Sequence, residues 1–408
     1  WLRRQSAHKN LLKMKRVLLV ALLASLTFAP AEAAPKPIAV QLGSIFSAPS
    51  GAEGFVLSGK NAIFIQNVTG KSADVVVTAQ DQSGIQVWQK TIDSGFDEVA
   101  TAITTDPLGN IWIAGSSAAA QQVETPTSLV GIDNPDAVSV DGSTSLRTDM
   151  NLLTMWKISA AGEVVATFTL AQKSIPIVNS ISATNSGVSI VGAVDGKPFL
   201  VNLISGVFGK VIPIGSSKSE LNVVARNSDG SSSIFGSSAE NLAGKKLAAI
   251  RDGVLIKVSK AGAITSLVRS SAIKASRSWI SGDATNLVSG PVITGKVIET
   301  AITKFGSTFA PVWTLRIPSS GASTSISANG NSYLALTSRG AISGISGWKP
   351  TTPSLLVITF DSKGVIKAAT ALPGLVTPLS LSYSPARGVT GLATSADGTV
   401  SIFTLVSR

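Results

Sequence analysis

The phrase TTDPLGNIWIAGSS, Thr104 to Ser117, constrains this chain more than any other feature, because looser versions of it come round again downstream. They are NSGVSIVGA from residue 185, NSDGSSSIFGSS from 227, NGNSYLALTS from 329 and PARGVTGLATS from 385. Each joins a polar turn carrying Gly or Asn to a run of branched and aromatic residues, the pattern of a tight reversal that enters a β-strand. A unit repeated in this way cannot bury its apolar faces alone, so the fold is set by stacking copies. The 408 residues would otherwise suggest two or three domains of about 150 residues, and the repetition overrides that prior.

The unit has four runs of strand length. In the clearest copy they are EVATAITTD, NIWIAGSS, LLTMWKISA and EVVATFTL, rich in Val, Ile, Thr and aromatics and without helical periodicity. The third and fourth runs meet at DQSG, SAAG, SKAG and DSKG, which place Gly84, Gly162, Gly262 and Gly364 where a hairpin wants a residue tolerant of positive φ. In the opening phrase Asp106 caps the turn and Gly109-Asn110 reverse the chain. First runs begin near residues 54, 99, 177, 220, 278, 322 and 377, and three of the spacings lie near 44. The other three are lengthened at one junction, between second and third runs, in segments 118–150, 239–252 and 339–352. The faintest copy is SWISGDATNLVSGPVITGKV, whose Pro and glycines blur its strands.

Four strands in about 44 residues is the unit of a β-propeller, in which each twisted sheet is covered only by its neighbours around a ring. The predicted fold is therefore all-β, a single propeller of seven four-stranded blades, with six or eight as alternatives. TVSIFTLVS, 399–407, ends the chain without a fourth strand, and PIAVQLGSI, 37–45, precedes the first unit as an orphan. Their pairing would complete the seventh blade and remove the exposed edges. The run Asp106-x-x-Gly109-Asn110-Ile111-Trp112-Ile113-Ala114-Gly115 resembles the bacterial seven-bladed β-propeller repeat and its NHL-type relatives. That resemblance covers nearly all of the chain after residue 33, concerns turns and packing, and implies a binding scaffold more often than an enzyme.

The N-terminal residues read separately. Lys15-Arg16 lead into VLLVALLASLTF, Pro30 and then Ala31-Glu32-Ala33, the pattern of a secretory signal over 14–33 cleaved after Ala33, with Ala31 and Ala33 as the small residues of the site. Twelve apolar residues are too few to span a bilayer, which takes about 20. Residues 1–13, upstream of Met14, read as an artefact of the gene start, and 34–408 as the propeller domain. The expectation is a secreted protein, extracellular or periplasmic, monomeric and without stable membrane insertion once the signal is removed. The chain has no Cys, so it carries neither disulfides nor a lipidation site. After residue 33 there are 28 basic and 22 acidic residues, scattered and not interleaved with aromatics, which argues against nucleic-acid binding.

The sole histidine is His8, upstream of the signal. Ser-His-Asp and Cys-His nucleophiles, His/Cys zinc sites and histidine bases are excluded from the secreted chain, and with them the streptogramin-lyase-like propellers, which depend on histidine. Sialidase-like Asp-box turns are not matched: TDPLGNIW has one residue too many between Asp106 and Gly109, and SADGTVSIF one too few at Asp397-Gly398. Quinoprotein motifs are missing too. The strands' tryptophans, Trp88, Trp112, Trp156, Trp279 and Trp313, read as packing between blades.

The insertions share one face, because strands alternate in direction, and loops on a rigid ring are where binding resides. In 118–150, Asp133, Asp136, Asp141 and Asp149 offer oxygen ligands for Ca²⁺, although their spacing is not an EF-hand's. No other cofactor is expected. Lys245, Lys246 and Arg251 in 239–252 suit an anionic partner, and Trp348 beside Lys349 in 339–352 suits a sugar ring or a protein. The expected function is a secreted non-catalytic scaffold for an envelope polysaccharide or surface protein. The alternatives are a carboxylate-based glycosidase or lyase in the central funnel and a structural cell-surface protein. N-terminal sequencing of the exported protein is expected to begin at Ala34, and a start at Trp1 or Met14 would refute cleavage.

Overall fold

A computed structural model describes residues 37–119 and 149–405. The described residues contain no helix and form seven hydrogen-bonded sheets in chain order. The first is Gly54–Ser58, Asn61–Thr69, Ala73–Gln80 and Gln86–Ile92, and the second is Glu98–Thr105, Ile111–Ser117, Leu152–Ile158 and Val164–Ala171. The fourth, Ser219–Arg226, Ser232–Ser238, Asp252–Val258 and Ile264–Ser270, has the same plan. The chain is a single all-β propeller, and the first strands start within two or three residues of the positions the repeats predict.

Three sheets depart from four plain strands. The third has Pro176–Thr184, Gly187–Val194 and Lys197–Ile204, but its outer edge is made of two short pieces, Val207–Phe208 and Ile212–Pro213. In the fifth, the faint copy, the inner strand is broken into Ser276–Arg277 and Ser281–Gly282 before Leu287–Thr294, Val297–Phe305 and Pro311–Pro318. The sixth, Ser323–Ala328, Asn331–Ser338, Ser354–Phe360 and Ile366–Leu372, takes on Ile38–Leu42 in parallel at its outer edge, with Ile345–Ser346 beyond it.

The closure predicted for 37–45 is corrected in detail. Ser44–Ser47 alone completes the seventh sheet, pairing antiparallel with Val400–Thr404 beside Gly388–Ser395 and Leu375–Ser384, while Ile38–Leu42 belongs to the sixth. The break falls at Gly43, whose N–H donates to the Ala371 carbonyl at 3.0 Å. A Cβ there would lie 2.7 Å from a Leu372 methyl, so a larger residue would have to displace that side chain to pass between the two sheets.

Alternating strands bury both faces of each sheet, and seven apolar clusters result, one between each pair of neighbours. Ile63, Val77, Ile111 and Trp156 join the first sheet to the second. Phe55, Phe64, Leu392 and Ile402 join the seventh back to the first. Fully burying one such side chain is worth roughly 1.5–3 kcal/mol, so interfaces of this size dominate the stability.

Two glycine devices recur. Gly115 faces a bulge in its sheet's inner strand, where register shifts between Ala100 and Ala102, and a Cβ on it would sit 1.8 Å from the Val99 carbonyl oxygen. A Cβ on Gly192 or Gly236 would likewise lie 2.2 or 1.9 Å from an inner-strand carbonyl oxygen, and one on Gly290 2.0 Å from that of Ser278, in the break of the fifth sheet's inner strand. The bulge adds twist, and the final glycine of the repeated phrase makes room for it. At the outer edge, the Trp88 ring lies on the Gly162 turn of the next sheet and its indole donates to the Ala160 carbonyl at 3.2 Å; Trp313 does the same over Gly364, donating to Ser362 at 3.1 Å.

The polar part of the phrase is a carboxylate-centred turn. Asp106 Oδ1 accepts the N–H groups of Leu108 (3.0 Å) and Asn110 (2.9 Å), and Oδ2 accepts the Asn110 amide (2.9 Å) and the Trp112 indole (3.0 Å). In third-to-fourth connections Asp81 and Asp361 cap turns in the same way, through backbone N–H groups two and four residues on. Partial burial pushes the Asp106 carboxyl up, but the four donors outweigh it and hold it below the usual carboxylate range. A depressed folded-state value means that its stabilising contribution is present at neutral pH and is lost as pH falls through the acidic range. Asp106→Asn, which turns an amide toward the indole and Asn110 donors, is expected to cost about 1–2 kcal/mol at pH 7 by urea denaturation, and the deficit should shrink below about pH 4.

Candidate functional site

First-to-second and third-to-fourth connections emerge on one side of the ring as turns of two to five residues, among them the Asp-capped turns described above. Second-to-third and fourth-to-first connections emerge on the other. Here the chain lengths vary, and the insertions 118–150, 239–252 and 339–352 leave and rejoin their sheets on this face.

Residues 120–148 of the first insertion lie outside the described residues, and with them Asp133, Asp136 and Asp141. Asp149, half-buried at the insertion's root, accepts the Ala119 and Asn151 N–H groups through its carbonyl at 3.1 and 2.8 Å.

The second insertion is tied down. Asp252, fully buried, pairs with Arg269 at 3.1 Å and accepts the Ala248 N–H at 2.9 Å. Arg269 also donates to the carbonyls of Glu240 and Lys245. Glu240 receives Ser216 N–H at 2.7 Å and the hydroxyls of Ser216 and Ser219 at 2.8 and 2.6 Å; burial pushes its carboxyl up, but these donors bring it below its ordinary value. At the tip, Leu242 and Lys245 exchange backbone hydrogen bonds, leaving Lys245 and Lys246 exposed. Arg251 does not reach outward. It pairs with Glu220 at 3.4 Å and donates to Ser237 at 2.9 Å.

The third insertion corrects the expectation for Trp348. Its indole is 9% exposed, packs with Ile342 and Ile345 into the core between the fifth and sixth sheets, and donates to Ser338 Oγ at 2.9 Å. Apolar residues at every third position turn the segment into a strap over its own sheet, so no ring face is free to stack on a sugar. Lys349 remains exposed.

Between the first and second sheets, at the root of the first insertion, a cavity of about 490 Å³ opens on the insertion face. Lys90, Asp93, Glu98, Thr154 and Trp156 are among its walls. Asp74, Asp93 and Glu98 converge there with oxygens within 4.8 Å of one another. Glu98 opens the inner strand of the second sheet and is 1% exposed; Asp74 opens the third strand of the first sheet and Asp93 follows its last. Burial pushes the Glu98 carboxyl up; hydrogen bonds from Ser94 pull it down, and the charges of Asp74 and Asp93 raise it further, leaving it above its ordinary value. Sequence spacing did not single these residues out, because they come from two separate connections, Asp74 from one and Asp93 and Glu98 from the next, and match no motif. The density of acids in IDSGFDEV, 92–99, was the available signal.

No protein-family model and no curated protein matches the chain. Among solved structures it is similar to a streptogramin B lyase, at 14% identity and a TM-score of 0.52 over 89% of this chain and 97% of that one. A catalytically inactive histidine-to-alanine variant of virginiamycin B lyase from Staphylococcus aureus, determined with Quinupristin, gives 11%, 0.54, and 89% and 99%. The β-propeller domain of Myceliophteria thermophila Cps50 (Swd1) gives 10%, 0.51, and 89% and 99%. At such identities the likeness is one of fold. Arg269→Leu, which strands the Asp252 charge in the core, is expected to destabilise the protein by about 3 kcal/mol or more in denaturant titration; a change below 1 kcal/mol would show that the clamp is dispensable.

Proposed function

We propose that this protein is a secreted, non-catalytic scaffold whose seven sheets serve as seven blades of the bacterial NHL-type repeat, and that its insertion face binds an anionic envelope polysaccharide. The observation that carries this reading is the contrast between the faces: only turns of two to five residues on one side, and on the other three connections lengthened into insertions, of which 239–252 is anchored by a buried Asp252–Arg269 pair. Rigidly based loops hold their tips in place and so lose less entropy on binding. Lys245, Lys246 and Lys349 stand exposed on that face, and the chain after residue 33 carries more basic than acidic residues.

The lyase resemblance does not carry its chemistry across. The inactive variant of the Staphylococcus aureus enzyme replaces a histidine, and the only histidine here is His8. A two-carboxylate glycosidase finds little support in the funnel. Among the described inner strands the acids are Glu98, buried, and Glu220, paired with Arg251.

Co-sedimentation with purified envelope polysaccharides tests the proposal. Saturable, salt-sensitive binding is expected, weakened about tenfold or more when Lys245, Lys246 and Lys349 are all changed to Ala. Binding indifferent to the triple change, or none to any polysaccharide, would overturn it, and capture of a surface protein by the same lysines would replace the ligand class.

A further inference from the structure

We propose that Asp74, Asp93 and Glu98 form a divalent-cation site selective for Ca²⁺, separate from the Asp133, Asp136, Asp141 and Asp149 set and independent of what the insertion face binds. Each of the three carboxylates uses one oxygen locally. Ser72 Oγ donates to Asp74 Oδ1 at 2.8 Å, the Gly95 N–H to Asp93 Oδ1 at 2.7 Å, and Ser94 to Glu98 Oε1 through both its N–H and its hydroxyl. These bonds orient the carboxylates and leave the second oxygen of each without a hydrogen bond among the described residues.

The deciding observation is Glu98 Oε2. It is buried in a residue 1% exposed, and among the described residues it has no hydrogen-bond partner. A buried carboxylate oxygen is normally satisfied, and one left bare beside two further carboxylates calls for a cation. Lys90 reaches the cavity wall, yet among the described residues no Lys or Arg makes an ion pair with any of the three.

The geometry suits a hard ion. Oxygens within 4.8 Å can share one Ca²⁺, whose opposed bonds of 2.3–2.6 Å span about 5 Å. Calcium takes six to eight oxygens, and the adjoining cavity of about 490 Å³ has room for the waters that complete the shell. The donor set has no nitrogen or sulfur, which disfavours zinc and copper. Bound there, the ion would bridge the first sheet, through Asp74 and Asp93, to the second, through Glu98.

The test uses the full exported protein, stripped with chelator and titrated with CaCl₂, MgCl₂ and TbCl₃. Calorimetry is expected to give one Ca²⁺ site with a dissociation constant of about 1 mM or tighter, as in extracellular modules, and Mg²⁺ binding at least about tenfold weaker. Terbium luminescence sensitised by Trp156, in the cavity wall, should appear and be displaced by Ca²⁺. Saturating Ca²⁺ should raise the melting temperature by about 2 °C or more. Glu98→Gln and Asp93→Asn should weaken Ca²⁺ binding at least about tenfold, yet in chelator both should melt at or above the wild type, because each relieves repulsion among the acids. If Glu98→Gln does not fold, Asp93→Asn, at an exposed position, decides alone. Absence of Ca²⁺ binding at about 10 mM, or equal binding by wild type and Asp93→Asn, would overturn the site.

Discussion

Everything in this protein depends on each sheet being covered by the next. A four-stranded sheet with two apolar faces has no stable existence alone, and here each face finds its cover in an adjoining sheet, with Phe55 and Phe64 of the first meeting Leu392 and Ile402 of the seventh. The ring must therefore close, and the last sheet has no strand of its own left to close it. Ser44–Ser47 supplies that strand from before the first sheet, so the second described strand and the last are held in one sheet.

Once closure is demanded, the smaller features follow from it. Sheets packed around an axis must twist strongly, and the inner-strand bulge opposite Gly115, Gly192 and Gly236 supplies twist at the point where the sheets crowd together. At the rim the sheets diverge, and large side chains take up the space: Trp88 on Gly162 and Trp313 on Gly364 fill equivalent gaps. Turns of two to five residues keep one face short throughout. The long insertions occur only among the second-to-third connections of the other face, where Lys245, Lys246 and Lys349 stand exposed.

The insertion face shows two uses of extra chain. The strap containing Trp348 stabilises its sheet and shelters the parallel strand Ile38–Leu42, whose Ile38 N–H reaches the Gly344 carbonyl at 2.9 Å. The loop around Lys245 is instead anchored from beneath and leaves its tip free. A buried ion pair is an expensive anchor compared with apolar packing, and its use at Asp252–Arg269 is understandable where a loop must be held in one position.

Much of the architecture was legible because it is written in local chemistry. Asp106, Gly109 and Trp112 act within one turn, strand alternation has a period of two, and the spacing of the copies needs no knowledge of distant contacts. The positive φ values of Gly84, Gly162, Gly262 and Gly364, 79°, 90°, 85° and 81°, are the kind of requirement a sequence announces by itself. What only the tertiary structure decided are the approaches between sheets: that the N-terminal strand divides at Gly43, that Trp348 turns inward, and that Asp74, Asp93 and Glu98 meet. The physical reason is the same in each case. These positions are set by how two sheets pack across a gap, and separation along the chain carries no record of that distance.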